Sequence, residues 1–413
     1  MKKTLKITQF LFYVFFLCNC THSIKEKSVW MGILKHNTID LGDDFIGFGG
    51  PLTINQDRMI GLEVGSSLNP LFCYTPSHGT PTFYRFGSKG QGPDDFLYPF
   101  SIQHINHETI GVWDMSKRSY CELKIPNENE SVEIDQSIRF EFQLSKIIKT
   151  AYDQYIALSM EDELFIISDS TGSNLHSFFE YPYQNNHERQ LFENRYRSFA
   201  YQGTLAVNPS KTKFAFSTIN GEIIHFYEIE KNNIKPVAII EKKYPLYQKN
   251  PEQNQTGVIY SSKGINGYVS SYATEQFVYA LYNGHKAGDR IYDAKILRVF
   301  DWNGILVKEY ELDVPSWFIC VSDDDSKLWS ISSNPDNELV YFDLEESPQN
   351  NSDKIKNDIV NSVITSSNDT VVNQTGINNR VIASSNDTVV IQTSTNNSII
   401  TFPVNLDKVQ VNE

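Results

Sequence analysis

The sequence predicts an all-β chain: a six-bladed β-propeller followed by a low-complexity C-terminal tail. Three observations carry this expectation. From about Ile33 to Leu344, short runs rich in Val, Ile, Tyr and Phe alternate with polar residues and stop at Gly, Asn, Asp or Pro. No long stretch keeps the 3.6-residue apolar period that a helical or α/β fold requires. The runs fall into about six groups, near 33–90, 100–145, 146–180, 198–245, 255–312 and 315–345, each with room for three or four strands. So many strands over ~310 residues exceed one small sandwich, and radial sheets around an axis leave only short, protected edges. Two packed β-domains are the alternative, but no Pro/Gly/Ser linker divides the region.

The clearest strands are Leu164–Ser168, Lys213–Ser217, Ile223–Ile229, Phe277–Tyr282, Ile296–Trp302 and Leu328–Ile331. Asp301-Trp302-Asn303-Gly304 is a hairpin signal, with Asn-Gly suited to a type I′ turn. The tail, 346–413, changes composition to Asn, Ser, Thr and Val. It repeats Val-Ile-(Thr/Ala)-Ser-Ser-Asn-Asp-Thr-Val-Val at 363–372 and again at 381–390, a period of 18 residues. Each copy reads as strand, polar turn, strand. Two copies cannot bury much core, so a mobile tail with weak β character is expected.

The N-terminus reads as an export signal over residues 1–19. Lys2, Lys3 and Lys6 precede an apolar run, Phe10 to Leu17, too short to span a bilayer comfortably. Leu17-Cys18-Asn19-Cys20 resembles a lipobox, which implies acylation at Cys20. Asn19 departs from the small residue usual before the cysteine, and Cys18 is the rival. Residues 20–32 then form a tether. Cleavage removes three lysines and no acids, taking the formal charge from −14 to −17. A chain that acidic repels phosphate backbones, so nucleic acid is not an expected partner. The membrane is reached through the lipid.

Cys73, Cys121 and Cys320 remain, an odd number with no Cys-x-x-Cys and no zinc spacing. Buried thiols are favoured; a Cys73–Cys121 disulfide is the other reading. His104 and His107, three apart in a strand-and-turn context, point to opposite faces of a strand or to a solvated loop rather than to a metal site. Neither a metal nor a cofactor is called for.

The densest motif is Arg85-Phe86-Gly87-Ser88-Lys89-Gly90-Gln91-Gly92-Pro93-Asp94-Asp95-Phe96. Its Gly-Gln-Gly-Pro core, followed by an acid and Phe, resembles the signature of TolB-like six-bladed β-propeller lipoproteins. Val112-Trp113-Asp114, Asn194-Arg195-Tyr196 with Tyr201 and Gly203, Gly267-Tyr268 with Tyr279–Gly284, and Val299–Gly304 with Tyr310 and Leu312-Asp313 follow in the same order. The resemblance spans about 33–345 and implies a six-bladed fold and export to the envelope. It transfers no catalytic residue. In physical terms Gly90, Gln91, Gly92 and Pro93 read as a structural turn, the glycines free to take positive φ and the proline setting the exit direction. A phosphate cradle would need a following helix or a Lys-Ser/Thr, and neither is present.

For function, the expectation is a non-catalytic binding or scaffolding module of the cell envelope, lipid-anchored in the outer membrane, with an envelope protein or a glycan as partner. Arg195, Tyr196, Tyr201 and His285 are candidate ligand contacts, because Tyr and Arg are favoured in recognition; packing between blades is the alternative use of the aromatics. The runner-up is a metal-dependent lactonase or esterase with carboxylates converging on the axis. Asp114, Asp169, Asp301 and Asp313 are available, though all sit where strands end and Asp forms turns. Asp369-Thr370-Val371 and Asp387-Thr388-Val389 resemble Asp-Thr-apolar O-glycosylation sites, making Thr370 and Thr388 candidates; Asp169-Ser170-Thr171 also fits.

Overall fold

A computed structural model describes residues 30–64, 68–76, 81–161, 163–251, 257–333 and 337–344, and the strand backbones at 380–385, 388–392 and 399–403. The chain divides into two units, 1–345 and 346–413.

The first unit opens with β1 (Trp30–Leu34) and β2 (His36–Thr38). Blade 1 is β3 (Gly49–Asn55), β4 (Arg58–Glu63), β5 (Leu71–Thr75) and β6 (Thr82–Phe86). The short pair β7 (Ser88–Lys89) and β8 (Asp95–Phe96) leads to blade 2, β9 (Pro99–His104), β10 (Thr109–Asp114), β11 (Ser119–Lys124) and β12 (Ile134–Arg139). Blade 3 is β13 (Leu144–Lys149), β14 (Tyr155–Ser159), β15 (Phe165–Ser168) and β16 (Asn174–Phe178). Two short helices, α1 (Asn186–Leu191) and α2 (Asn194–Ala200), precede blade 4. That blade holds β17 (Gly203–Val207), β18 (Lys213–Thr218), β19 (Glu222–Glu230) and β20 (Asn233–Lys243). After the pair β21 (Tyr247–Lys249) and β22 (Val258–Tyr260), blade 5 runs through β23 (Tyr268–Ala273), β24 (Phe277–Tyr282), β25 (Ala294–Asp301) and the first half of β26 (Leu306–Val321). The second half of β26 starts blade 6, which β27 (Lys327–Ser332), β28 (Glu338–Asp343) and β2 complete. Within each blade, strands consecutive in sequence pair antiparallel.

The closure differs from the sequence grouping, which kept 33–90 as one unit. His36, Asn37 and Thr38 instead pair with Phe342, Tyr341 and Val340, so the N-terminal strand covers the edge of the last blade. An uncovered edge invites pairing with another chain, and a ring closed this way leaves none there. Trp30–Gly32, read as tether, belong to β1, which runs parallel to β26 along blade 5.

Six apolar clusters fill the six gaps between neighbouring blades. Each middle strand therefore buries both faces. In β10, Ile110 and Val112 face blade 1, beside Leu62 and Cys73, while Trp113 faces blade 3, beside Phe140 and Tyr155. Apolar burial on both sides explains why such strands read as near-continuous hydrophobic runs. Cys73, Cys121 and Cys320 are buried free thiols, so the Cys73–Cys121 disulfide is not formed. Burial raises the pKa of all three and leaves them poor nucleophiles.

The hairpin at Asp301 also departs from expectation. Gly304 N–H closes the turn on Asp301 O at 3.0 Å, and positive φ falls on Gly304 and not on Asn303. A type I′ turn needs both, so this is a three-residue connection with a left-handed glycine.

Asp313, between the halves of β26, fastens the closing strand. Its carboxylate accepts His36 N–H at 3.0 Å and lies 3.0 Å from the His36 ring Nδ1. Burial works against the ionised form, but the His36 bonds and the Lys35 charge outweigh it, and the pKa is lowered. A carboxyl with a depressed folded pKa contributes stability above its unfolded value, near 4, and loses it as pH falls through the folded value. Asp313→Asn is therefore expected to cost about 1 kcal/mol at pH 7. In urea titrations the gap from wild type should close below pH 4; an unchanged gap at pH 3 would refute the assignment.

In the second unit, β29 (Arg380–Ser385), β30 (Thr388–Gln392) and β31 (Ile399–Pro403) form an antiparallel sheet in sequence order. The second copy of the 18-residue repeat thus falls on the antiparallel strands β29 and β30, with Ser385 opposite Thr388. The first copy, including Thr370, lies outside the described residues, as does Cys20.

Candidate functional site: the axial channel

Six inner strands, β3, β9, β13, β17, β23 and the second half of β26, enclose a cavity of about 110 Å³ on the propeller axis. Each contributes wall residues: Thr53, Gln103, Lys146, Thr204, Ser271 and Ile319 among them. The inner strands stand here because each is the first strand of its blade, and the blades radiate outward from it.

Hydroxyls and amides dress much of this wall and tie blades together. Thr204 Oγ1, Ser217 Oγ and Ser271 Oγ form a chain at 2.9 and 2.7 Å from blade 4 to blade 5. Ser270 Oγ accepts Ile319 N–H at 3.3 Å. Tyr272 reaches from blade 5 to blade 1, its hydroxyl 3.5 Å from Ile54 N. Gln103 bonds Lys149 through both ends of its amide, at 2.7 and 3.0 Å. Among the described lining residues the basic groups are Lys146 and His104, and there is no carboxylate. His104, expected in a solvated loop, ends β9 on this wall. Burial lowers its pKa, so its ring is held neutral.

Lys146 carries no sequence signal beyond a cation in an apolar strand. Its Nζ donates to Phe100 O at 3.2 Å and sits 3.7 Å from the centre of the Phe100 ring, which stacks on Tyr98. Loss of water around the ammonium pushes its pKa down to about 7.

The four acids of the hydrolase reading do not converge. Asp114 is fully buried and accepts the Leu97, Tyr98 and Lys117 N–H groups. Asp169 accepts the N–H groups of Thr171 and Ser173 in an exposed turn, and Asp301 those of Asn303 and Ile305. Asp313 holds His36. None lines the channel, and the described residues include no group of three His, Cys, Asp or Glu placed to hold a metal.

The binding candidates separate. Arg195 and Tyr196 are on α2 rather than on a loop, Arg195 exposed and Tyr196 half-buried beneath Lys249 Nζ at 4.2 Å. Tyr201 is wholly buried as the cap of α2, so it is no surface contact. Its hydroxyl donates to Glu188 at 2.8 Å, beside that of Tyr247 at 2.7 Å, and burial raises its pKa. His285 is exposed on the loop after β24, in blade 5. The helices escaped the sequence reading because six and seven residues cannot display a helical period. The legible signal was Asn185 capping Glu188 N–H at 3.0 Å, with the Glu188 side chain returning to Gln184 N–H. Sequence reading also missed Arg197, which is buried on α2 and pairs with Glu180 at 3.0 Å.

Gly90, Gln91, Gly92 and Pro93 form a turn braced from within. Neither Gly90 nor Gly92 has positive φ; Gly87 does. The two glycines are needed for closeness instead, since a Cβ would lie 2.3 Å and 2.7 Å from Asp95 Oδ2. That carboxylate accepts Gly92 N–H at 2.9 Å, and Lys117 Nζ donates to Gly92 O at 2.6 Å. Phe86 and Phe96 anchor the two ends in the core between blades 1 and 2.

The family comparison agrees with this architecture. A family model described as TolB-like 6-blade propeller-like matches residues 63–324. Compared with curated proteins, the chain finds no match. Among solved structures, a member of the DUF4221 family from Bacteroides vulgatus superposes with TM-score 0.49 at 12% identity, covering 78% of this chain and 99% of that one. Regucalcin from Agrobacterium tumefaciens, a calcium-binding protein, superposes at 0.45 and 9%, covering 76% and 96%. A luciferin-regenerating enzyme superposes at 0.43 and 11%, covering 74% and 94%.

Proposed function

The chain belongs to the TolB-like 6-blade propeller-like family, and we propose that it is an exported lipoprotein whose propeller binds without doing chemistry. Cys20 carries the lipid, the anchor lies in the outer membrane, and the propeller engages an envelope protein or a glycan. The observation that carries the binding reading is the channel wall: hydroxyl, amide and apolar groups around one ammonium, without a carboxylate. A metal-dependent hydrolase needs converging oxygen ligands for its cation, and the acids here are spent on turns and on ring closure.

A pull-down from detergent-solubilised envelopes, comparing the native chain with Cys20→Ala and read by mass spectrometry, tests it. The expected result is a stoichiometric envelope partner with the native chain, and loss of the lipid mass with Cys20→Ala. An intact mass without acyl chains removes the anchor. If no partner or glycan copurifies, the binding reading falls.

A further inference from the structure

Lys146 is the ammonium on the described channel wall. An ammonium has three N–H donors; Phe100 O takes one, and the Phe100 ring faces the nitrogen. Lys149, three residues along β13, has Glu122 and Asp153 at 2.7 and 3.2 Å. Among the described residues Lys146 has no such carboxylate. Lys146 is half-buried on the channel wall with no counter-charge among the described residues, and an anion entering the channel would supply the partner that favours its charged form.

The geometry points to the axial channel as a binding site for a short aliphatic monocarboxylate, its charged end on Lys146 and its carbon chain against the apolar part of the wall. This deepens the binding role proposed above and rests on it. Three properties select the ligand class. The charge is one: burial favours the neutral His104 ring and no second cation is among the described lining residues, so a monoanion balances Lys146, whereas a dianion such as phosphate would keep one charge uncompensated. No arginine fork stands there to hold phosphate through two parallel bonds. The size is small: a cavity of about 110 Å³ is well under the roughly 300–1,000 Å³ of sites for drug-sized ligands, so the channel itself takes a group of a few heavy atoms. The wall is mixed: Ser101 and Thr204 supply hydroxyls, Ile148 and Ile319 supply apolar surface.

The titratable groups on the described wall are Lys146 from β13, His104 from β9 and Tyr272 from β23; β3, β17 and β26 add none. Burial lowers the His104 pKa and raises that of Tyr272, so both shifts favour the neutral forms, whereas the Lys146 pKa, about 7, falls between pH 6.5 and 9.

Sodium propionate is the probe, titrated calorimetrically into the full chain in dodecyl maltoside. The expected result is one saturable site at pH 6.5, weakened at least tenfold at pH 9. K146M and K146Q, both checked for a cooperative melt, should each lose at least tenfold. Inorganic phosphate should not compete. No saturable binding by the wild type, equal binding by folded K146M or K146Q, or phosphate binding as tightly as propionate would overturn the assignment. A failure here alongside a copurifying partner in the pull-down removes the carboxylate and leaves the binding role standing.

Discussion

Gly267→Ala should lower the unfolding free energy by about 3 kcal/mol or more. Gly267 lies at the entrance to blade 5, where the chain passes the turn between β18 and β19 of blade 4. Its N–H donates to Ile219 O at 2.5 Å, and its own carbonyl accepts Asn283 N–H at 2.9 Å. One step away, Asn266 bridges to Asn220, and Gly221 N–H bonds Ile265 O at 2.9 Å. The two blades therefore meet backbone to backbone. A Cβ on Gly267 would stand 2.1 Å from Gly221 O and 2.6 Å from Thr218 O. Neither atom ends a flexible side chain, so relief requires the two blades to part. Parting them breaks the bonds just named and opens the cluster that includes Ile224, Phe226 and Tyr268. Gly257→Ala is the control, because a Cβ there meets nothing within 4 Å; it should stay within about 0.5 kcal/mol of wild type. Urea unfolding followed by tryptophan fluorescence checks both. A midpoint for Gly267→Ala equal to that of Gly257→Ala would refute the close-approach argument.

The sequence exposed the blades for the same reason that it hid the closure. Strands such as β10, β14 and β18 are buried between two neighbours, so they must be apolar on both faces, and a dense apolar run is easy to see. The closing strand His36-Asn37-Thr38 is half-buried at His36 and exposed at the next two residues. It is held by backbone pairing and by Asp313, and neither needs an apolar side chain. Pairing across some 300 residues leaves no local trace.

The channel was illegible for a related reason. Strand alternation tells which residues share a face, but not that this face looks along the axis. Thr53, Gln103, Lys146, Thr204, Ser271 and Ile319 meet only once six blades are in place. Tyr201 shows the reverse error. An aromatic in a polar segment reads as a surface contact, yet two short helices bury it against Glu188. What distinguishes the two cases is where the hydroxyl finds its partner, and that is set by packing.

The family-like segments Gly90–Phe96 and Val112–Asp114 turn out to be one device, and Asp114→Ala should show it by costing about 3–5 kcal/mol. Asp114 has no exposed surface. Its Oδ2 accepts Leu97 N–H at 2.6 Å and Tyr98 N–H at 3.1 Å, and its Oδ1 accepts Lys117 N–H at 2.9 Å. Alanine strands three main-chain donors at about 1–3 kcal/mol each, less whatever water can reach them. The consequence extends beyond stability. Lys117 Nζ clamps the glycine turn through Gly92 O and Asp95 O, and Asp114 fixes the backbone from which Lys117 projects. Tyr98 and Phe100, stacked beside Lys146, lie on the segment that Asp114 tethers. Asp114→Asn keeps one acceptor oxygen and turns an amide toward the other donors, so its loss should fall between wild type and alanine. Urea midpoints give that ranking. Limited proteolysis gives the second test: in Asp114→Ala, cleavage should begin within residues 87–98 at a urea concentration where the blades still hold. Cleavage appearing only with global unfolding would mean that Asp114 supports the core alone and does not organise the turn.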